Sequence, residues 1–392
     1  MHRILMVLAL LAGSTAAATN SPQPSSADSS SCQGPTSNSC AAASATVAQN
    51  SLCAASTTEN NAGQPISNGA GLGAFYWEIG NSATVLLSGS VSYGGKNPDA
   101  DDYLEFTSSS KWIYGTYYLQ YINGSSNLQS YDIAALHQTD GYVNGENNCP
   151  LLDTVSECSS RTPGKDKVNP GNYQVPACTG IFCYDGEHFN NHGATYADLG
   201  PDRTRPLNRT VFEALGQTTS DTTIEYWQVD LAGGVNGTPA AYRSILQGIL
   251  AGTLKMNAAL FAYAVPTLPT HASRVSETYC GLNDRRHFSD TYGSTQAGCT
   301  PIPEPWSYSI SHWIENQTAC VGSTGTLVPC TGDGAASSPG SNGFYPWIDS
   351  SATYYGVLAR YVDSAGVGFQ SVQCGRLIRK AFLTGVTQSG YF

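Results

Sequence analysis

The stretch Phe106-Thr107-Ser108-Ser109-Ser110-Lys111-Trp112-Ile113-Tyr114, continuing to Tyr117-Tyr118-Leu119-Gln120-Tyr121, decides how the rest of the chain is read. Residues 108–121 are rich in aromatic and long apolar side chains, which predicts a helix with Thr107 or Ser108 near its N-cap. A helix this apolar is buried, and it carries Lys111 inside with it. Positions i and i+3 share a helix face, so Lys111 falls beside Ser108. At the helix start the dipole favours negative charge developing on the Ser108 oxygen. A desolvated lysine gives up its proton more readily and can assist a serine nucleophile. In a Ser-rich chain one Ser-x-x-Lys arises easily by chance, so the reading depends on what surrounds it.

On the N-terminal side, residues 74–79 and 84–91 read as strands joined by the turn Gly80-Asn81-Ser82. On the C-terminal side, the middle of the chain alternates loops with candidate helices at 188–199, 209–215 and 239–251. Strands return at 343–349 and 353–361, and 370–382 reads as a closing helix whose Arg376, Arg379 and Lys380 suit the negative end of its dipole. Strands at both ends with helices between predict an α+β body. Its antiparallel sheet is built from about 70–105 and 300–392, is flanked by helices, and carries a mostly helical insert over about 123–300.

Four further segments bear on chemistry. Phe182-Cys183-Tyr184-Asp185-Gly186-Glu187-His188-Phe189 opens a helix with a tyrosine just ahead of it. Residues 333–349 contain Ser338-Pro339-Gly340-Ser341 followed by Gly343-Phe344-Tyr345-Pro346-Trp347. Leu231-Ala232-Gly233-Gly234 precedes the helix from Pro239, and Trp306 to Trp313 reads as strand. With Phe106–Trp112, these segments in this order resemble the serine β-lactamase/penicillin-binding-protein superfamily, nearest to its class C-like branch of secreted esterases and 6-aminohexanoate-dimer hydrolases. The resemblance spans about residues 72–383.

The resemblance implies a β-lactamase/transpeptidase-like fold and an acyl-enzyme mechanism. Ser108 is then the nucleophile, with Lys111 and Tyr184 moving the proton; a phenol beside a lysine ammonium can have a lowered pKa and shuttle the proton to the leaving group. The backbone N–H groups of Ser108 and Ser341 form the oxyanion hole, with Gly340 and Ser338 on the adjoining strand edge. Gly186 stands where the family has an asparagine, leaving His188 or Asp185 to replace that hydrogen bond. Ser338 stands where β-lactamases carry a cation for the substrate carboxylate. The expected activity is therefore hydrolysis of a small ester or amide, without cofactor or metal. Two alternatives are a D,D-peptidase or β-lactamase acting on cell-wall peptides or β-lactams, and a catalytically silent binding protein on the same scaffold. The 231–242 and 306–313 segments, which match the family's Ala-Gly-Gly and Tyr-Gly-x-Gly-Trp elements, are read as scaffold or pocket wall.

Composition narrows the setting. The chain has 392 residues, with 18 Lys+Arg against 29 Asp+Glu, a formal net charge of −11. That balance excludes nucleic acid as a natural partner. Residues 1–18 read as a signal peptide, too short in its apolar run to span a bilayer, which predicts a secreted or periplasmic protein with no membrane insertion after cleavage. Residues 19–68 read as a flexible Ser/Ala/Asn-rich lead-in, and 69–392 as the hydrolase domain. The 12 cysteines suit an oxidising compartment. Their spacing suggests Cys149–Cys158, Cys178–Cys183, Cys280–Cys299 and Cys320–Cys330, with Cys32, Cys40, Cys53 and Cys374 left to pair among themselves. Sequons occur at Asn123, Asn208, Asn236 and Asn316. His188 and His192, spaced i, i+4, could bind zinc but lack a third ligand, so pocket lining is expected for His188 and packing or surface for His192. Asp99, Asp101 and Asp102 read as a solvated acidic turn rather than a calcium site.

Overall fold

The computed structural model describes residues 38–50, 53, 72–142, 149–160, 179–180, 182–217, 223–267, 306–315, 320–321, 327–328, 332–361 and 368–386. In chain order the elements are α1 (Asn38–Asn50), β1 (Phe75–Gly80), β2 (Val85–Val91), β3 (Leu104–Glu105), α2 (Ser110–Tyr121), α3 (Ser130–Leu136), α4 (Val155–Ser159), α5 (Glu187–Tyr196) and α6 (Thr204–Ala214). They continue with β4 (Ile224–Tyr226), β5 (Val235–Gly237), α7 (Pro239–Leu250), α8 (Met256–Ala259), β6 (Val265–Pro266), β7 (Ser307–Tyr308), β8 (Trp313–Ile314), β9 (Cys320–Val321), β10 (Leu327–Val328), β11 (Ala336–Ser337), β12 (Tyr345–Ile348), β13 (Tyr355–Arg360) and a closing helix α9 (Gly368–Thr384).

The main sheet has eight strands in the order β2-β1-β13-β12-β11-β8-β7-β6, and each of its neighbouring pairs runs antiparallel. N- and C-terminal strands therefore share one sheet, joined at β1–β13, where Phe75 pairs Arg360 and Gly80 pairs Tyr355. This is the expected α+β arrangement. Two details differ from the sequence reading. The edge strand β6 comes from residues 265–266, inside the segment read as helical insert. Strand β3 leaves the main sheet and pairs instead with β5, which also pairs β4.

The pleat of β1 sorts its side chains. Phe75, Trp77 and Ile79 face a cluster built with α1 and α9, while Tyr76 faces the cluster that holds α2 and α7. Glu78 shares the Tyr76 face. It is buried there, accepts hydrogen bonds from Tyr76 at 2.7 Å and Arg243 at 2.8 Å, and burial pushes its carboxyl above the usual range. Helix α2 is buried from Ser110 to Leu119 and forms the spine between sheet and helices.

Part of the segment read as a flexible lead-in is helix. In α1, Ala43, Val47 and Ala48 are buried, and the Ser44 hydroxyl donates to the Ile378 carbonyl of α9 at 3.3 Å. Small side chains let the two helices approach closely, and a disulfide ties Cys53, just after α1, to Cys374 within α9, with Cα atoms 5.1 Å apart. Cys149 pairs with Cys158 as the spacing suggests. Cys183 is disulfide-bonded, while Cys178, Cys280, Cys299 and Cys330 lie outside the described residues. The acidic turn closes on itself: Asp99 N–H donates to Asp102 and Asp101 N–H to Asp99. No helix among the described residues is long and apolar enough to cross a membrane.

Candidate active site

The predicted single helix from Ser108 is in fact two pieces. Thr107–Ser109 form a 3-10 turn, and α2 begins at Ser110 with Ser109 as its N-cap. The cap moves two residues on because Thr107 adopts φ 46°, the left-handed region that a β-branched residue rarely enters. The turn packs tightly against Gly340. Gly340 lies so close that a Cβ there would press into the Phe106 carbonyl oxygen and stand 2.5 Å from Thr107 Oγ1.

The three consecutive serines have distinct partners. The Ser110 hydroxyl accepts from Val235 N–H at 3.1 Å. The Ser109 hydroxyl donates to the Ser338 carbonyl at 2.6 Å. Ser108 faces Lys111, whose Nζ donates to Ser108 Oγ at 3.2 Å and to the Ala232 carbonyl at 3.1 Å. Lys111 is only 4% exposed. Burial pulls its ammonium down to about 8, against the upward influence of Asp230 and Asp185.

Tyr184 joins them by a different route from the one expected. Lys111 Nζ sits 4.6 Å above the centroid of its ring, which also stacks on Trp313 at 5.3 Å and meets Tyr308 edge-on at 6.3 Å. Ser108 and Trp313 act to lower its phenol, but burial dominates and pushes it well above its ordinary value. The expectation of a lowered phenol pKa is therefore overturned. Desolvation penalises a phenolate more than its neighbours favour it. The lowered group is Lys111.

The 338–341 edge abuts the nucleophile turn. Ser338 Oγ donates to the Ser108 carbonyl at 3.2 Å, and Gly340 N–H donates to Phe344 at 2.7 Å. Ser341 follows directly, its hydroxyl turned toward Asn342. Gly186 is the N-cap of α5, and its carbonyl accepts from Phe189 and Asn190 N–H at 3.0 and 3.2 Å. His188 does not line a pocket: fully buried, its Nδ1 meets Asp140 and its Nε2 the Cys183 carbonyl at 2.8 Å. Burial works against its protonation, but Asp140 outweighs that and raises its pKa. His192 meets Tyr114 at 2.6 Å and Asp132 at 3.0 Å, so the two imidazoles point to different partners. No group of three or more candidate metal ligands occurs among the described residues.

Sequence reasoning passed over Asp230 and Asn190. Asp230 Oδ1 accepts from Ala232 N–H at 2.9 Å and from Asn190 Nδ2 at 3.2 Å, while Asn190 Oδ1 accepts from Leu231 N–H at 2.8 Å. Burial raises Asp230 to about 6 although Lys111 pulls it down. The available signal was position: Asp230 immediately precedes the Leu231–Gly234 segment assigned to scaffold.

No family model and no curated protein matches the chain. Solved structures do. A putative β-lactamase from Bacteroides dorei is 16% identical, with 79% of this chain and 93% of that one covered and a TM-score of 0.45. EstCE1, a hydrolase with promiscuous acyltransferase activity, is 11% identical over 88% of this chain and 98% of its own, with a TM-score of 0.48. The D-amino acid amidase of Ochrobactrum anthropi is 11% identical over 79% and 93%, with a TM-score of 0.46. The candidate site lies where helix α2, the strand edge after β11 and the turn before α5 meet.

Proposed function

We propose that the chain is a serine hydrolase that cleaves a small ester or amide through an acyl-enzyme on Ser108. The observation that carries this reading is the 3.2 Å contact between Ser108 Oγ and the buried Lys111 Nζ. A lysine held near 8 is partly neutral in ordinary buffers and can accept the serine proton, as a fully solvated lysine cannot.

In the reaction, Ser108 Oγ attacks the carbonyl carbon and its proton passes to Lys111. The backbone N–H of Ser108, in the first turn where amides lack helical partners, and that of Ser341 receive the oxyanion. Tyr184 stays protonated and hydrogen-bonded, so its role is to hand a proton to the leaving group and take one back from Lys111. Water then releases the acyl group, restoring Ser108. Ser338, bound to the Ser108 carbonyl, offers no positive charge to a substrate carboxylate, which favours esters and simple amides over β-lactams. The disulfides are compatible with action outside the cytoplasm.

The test is turnover of a short-chain p-nitrophenyl ester by the wild type and Ser108→Ala, with a fluorophosphonate label located by mass spectrometry. Loss of turnover and labelling at Ser108 are expected; undiminished turnover in the variant overturns the reading.

A further inference from the structure

The scaffold segment ahead of α7 holds a buried carboxylate that the mechanism above leaves unused. We propose that Asp230 is the positioning residue for Lys111: clamped by Asn190 and the Ala232 N–H, it fixes the turn whose carbonyl holds the ammonium and supplies the negative field in which Lys111 works. The proposal deepens the serine-hydrolase reading and rests on it.

The geometry forms a closed circuit. Asn190 on α5 donates to Asp230 Oδ1 at 3.2 Å and accepts from Leu231 N–H at 2.8 Å, gripping two successive residues. The same Oδ1 accepts from Ala232 N–H at 2.9 Å, and the Asp230 carbonyl accepts from Gly234 N–H at 2.8 Å. A residue tied this way leaves the Ala232 carbonyl one orientation, and Lys111 Nζ donates to it at 3.1 Å. Glycine at 233 is part of the fit, since a Cβ there would stand 2.8 Å from Asp230 Oδ2. With the Ala232 carbonyl and Ser108 Oγ both accepting from it, the ammonium is directed at the nucleophile.

The electrostatics run the same way. Lys111 is faced by Ser108 from its own turn, by Tyr184 and Asp185 from the segment before α5, and by Asp230. Asp230 is faced in addition by Asn190 and Glu187 of α5 and by Tyr226 of β4. Among these groups Asp230 and Asp185 favour the charged lysine, and Asp230 acts more strongly. Without Asp230, desolvation would act with less opposition and Lys111 would lose its proton at lower pH.

The experiment follows the rate of Ser108 labelling by a fluorophosphonate from pH 5 to 10. In that step the Ser108 Oγ–P bond forms, the P–F bond breaks, the hydroxyl proton passes to Lys111 Nζ and fluoride leaves. Asp230→Asn keeps an oxygen for both Asn190 Nδ2 and Ala232 N–H and removes only the charge. Its pH–rate midpoint is expected to fall by about one unit relative to the wild type. Asp230→Ala, which also removes the clamp, is expected to lose about tenfold or more of the plateau rate, because a misplaced base costs rate at every pH. A residue that served folding alone would lower thermal stability and leave the midpoint in place. If Asp230→Asn does not fold, Asn190→Leu is read in the same assay, and its midpoint must also move. A wild type that takes no label at Ser108 defeats the hydrolase reading itself. A labelled wild type with an unshifted midpoint in folded Asp230→Asn defeats only the role of Asp230.

Discussion

Lys111 lies over the ring of Tyr184, 4.6 Å from its centroid, while its Nζ points at Ser108 Oγ 3.2 Å away. That relationship divides the proton chemistry between the two. In the proposed mechanism the lysine, lowered by burial to about 8, is the group that takes the serine proton; the tyrosine, raised by burial, rests protonated and is the donor to the leaving group.

The pH dependence of kcat/KM follows from the lysine. The active form has neutral Lys111, so the rate should rise with pH through about 8 and level off above it. Lys111→Met keeps the stem and removes the base. A loss of about a hundredfold to ten-thousandfold is expected, together with loss of the limb near pH 8, in stopped-flow ester hydrolysis.

Tyr184→Phe tests the other half. Phenylalanine keeps the stack on Trp313 and the ring beneath Lys111, so only the hydroxyl goes. A p-nitrophenolate leaves without a proton, whereas an amine does not. The loss in kcat should therefore be about a hundredfold or more for an anilide or alkyl amide and much smaller for a p-nitrophenyl ester. Equal losses on both substrates would contradict the donor role.

The Ser108–Lys111 pair was legible because it is local: i, i+3 spacing on an apolar helix places the two side chains together whatever the rest of the fold does. The sharing of one sheet by both ends was legible from the order of strands and helices. What escaped was set by long-range contact. The two residues of β6 are too few to show a period of two, and only pairing with β7 makes them strand. The turn at Thr107 packs against Gly340, more than two hundred residues away in sequence, and α1 looked like a linker because small residues suit a linker and a close helix contact equally. Asp230 escaped for the same reason: its partner Asn190 lies forty residues earlier, on α5.

Gly340→Ala should separate the oxyanion edge from the nucleophile turn. The new methyl would collide with the Phe106 carbonyl and Thr107 Oγ1, and backbone cannot step aside as a flexible side-chain end can. Overpacking of this kind costs about 1–3 kcal/mol of stability. Because the collision is at the residues flanking Ser108, we expect kcat to fall tenfold or more while the protein stays folded by circular dichroism.

Arg379 offers a prediction about stability at low pH. Fully buried in α9, its guanidinium binds Glu315 at 3.0 Å and Asp333 at 2.6 Å, and donates to Tyr345 Oη at 2.9 Å. Removing Arg379 leaves the buried Glu315 with Arg376 at 2.7 Å as its remaining cation and takes away the partner of the part-exposed Asp333, so Arg379→Met should unfold at lower denaturant. The pH sign follows from Asp333. Burial pushes its carboxyl up, but Arg379 overrides burial and holds it below the ordinary value. A depressed carboxyl stabilises the fold above its unfolded pKa of about 3.9 and loses that contribution as pH falls through the folded value. The wild type should therefore lose stability steeply below about pH 4, and Arg379→Met should show a shallower decline over the same window in urea titrations, since the cation that depresses Asp333 is gone. Equal slopes for the two proteins would place the acid sensitivity on other carboxylates.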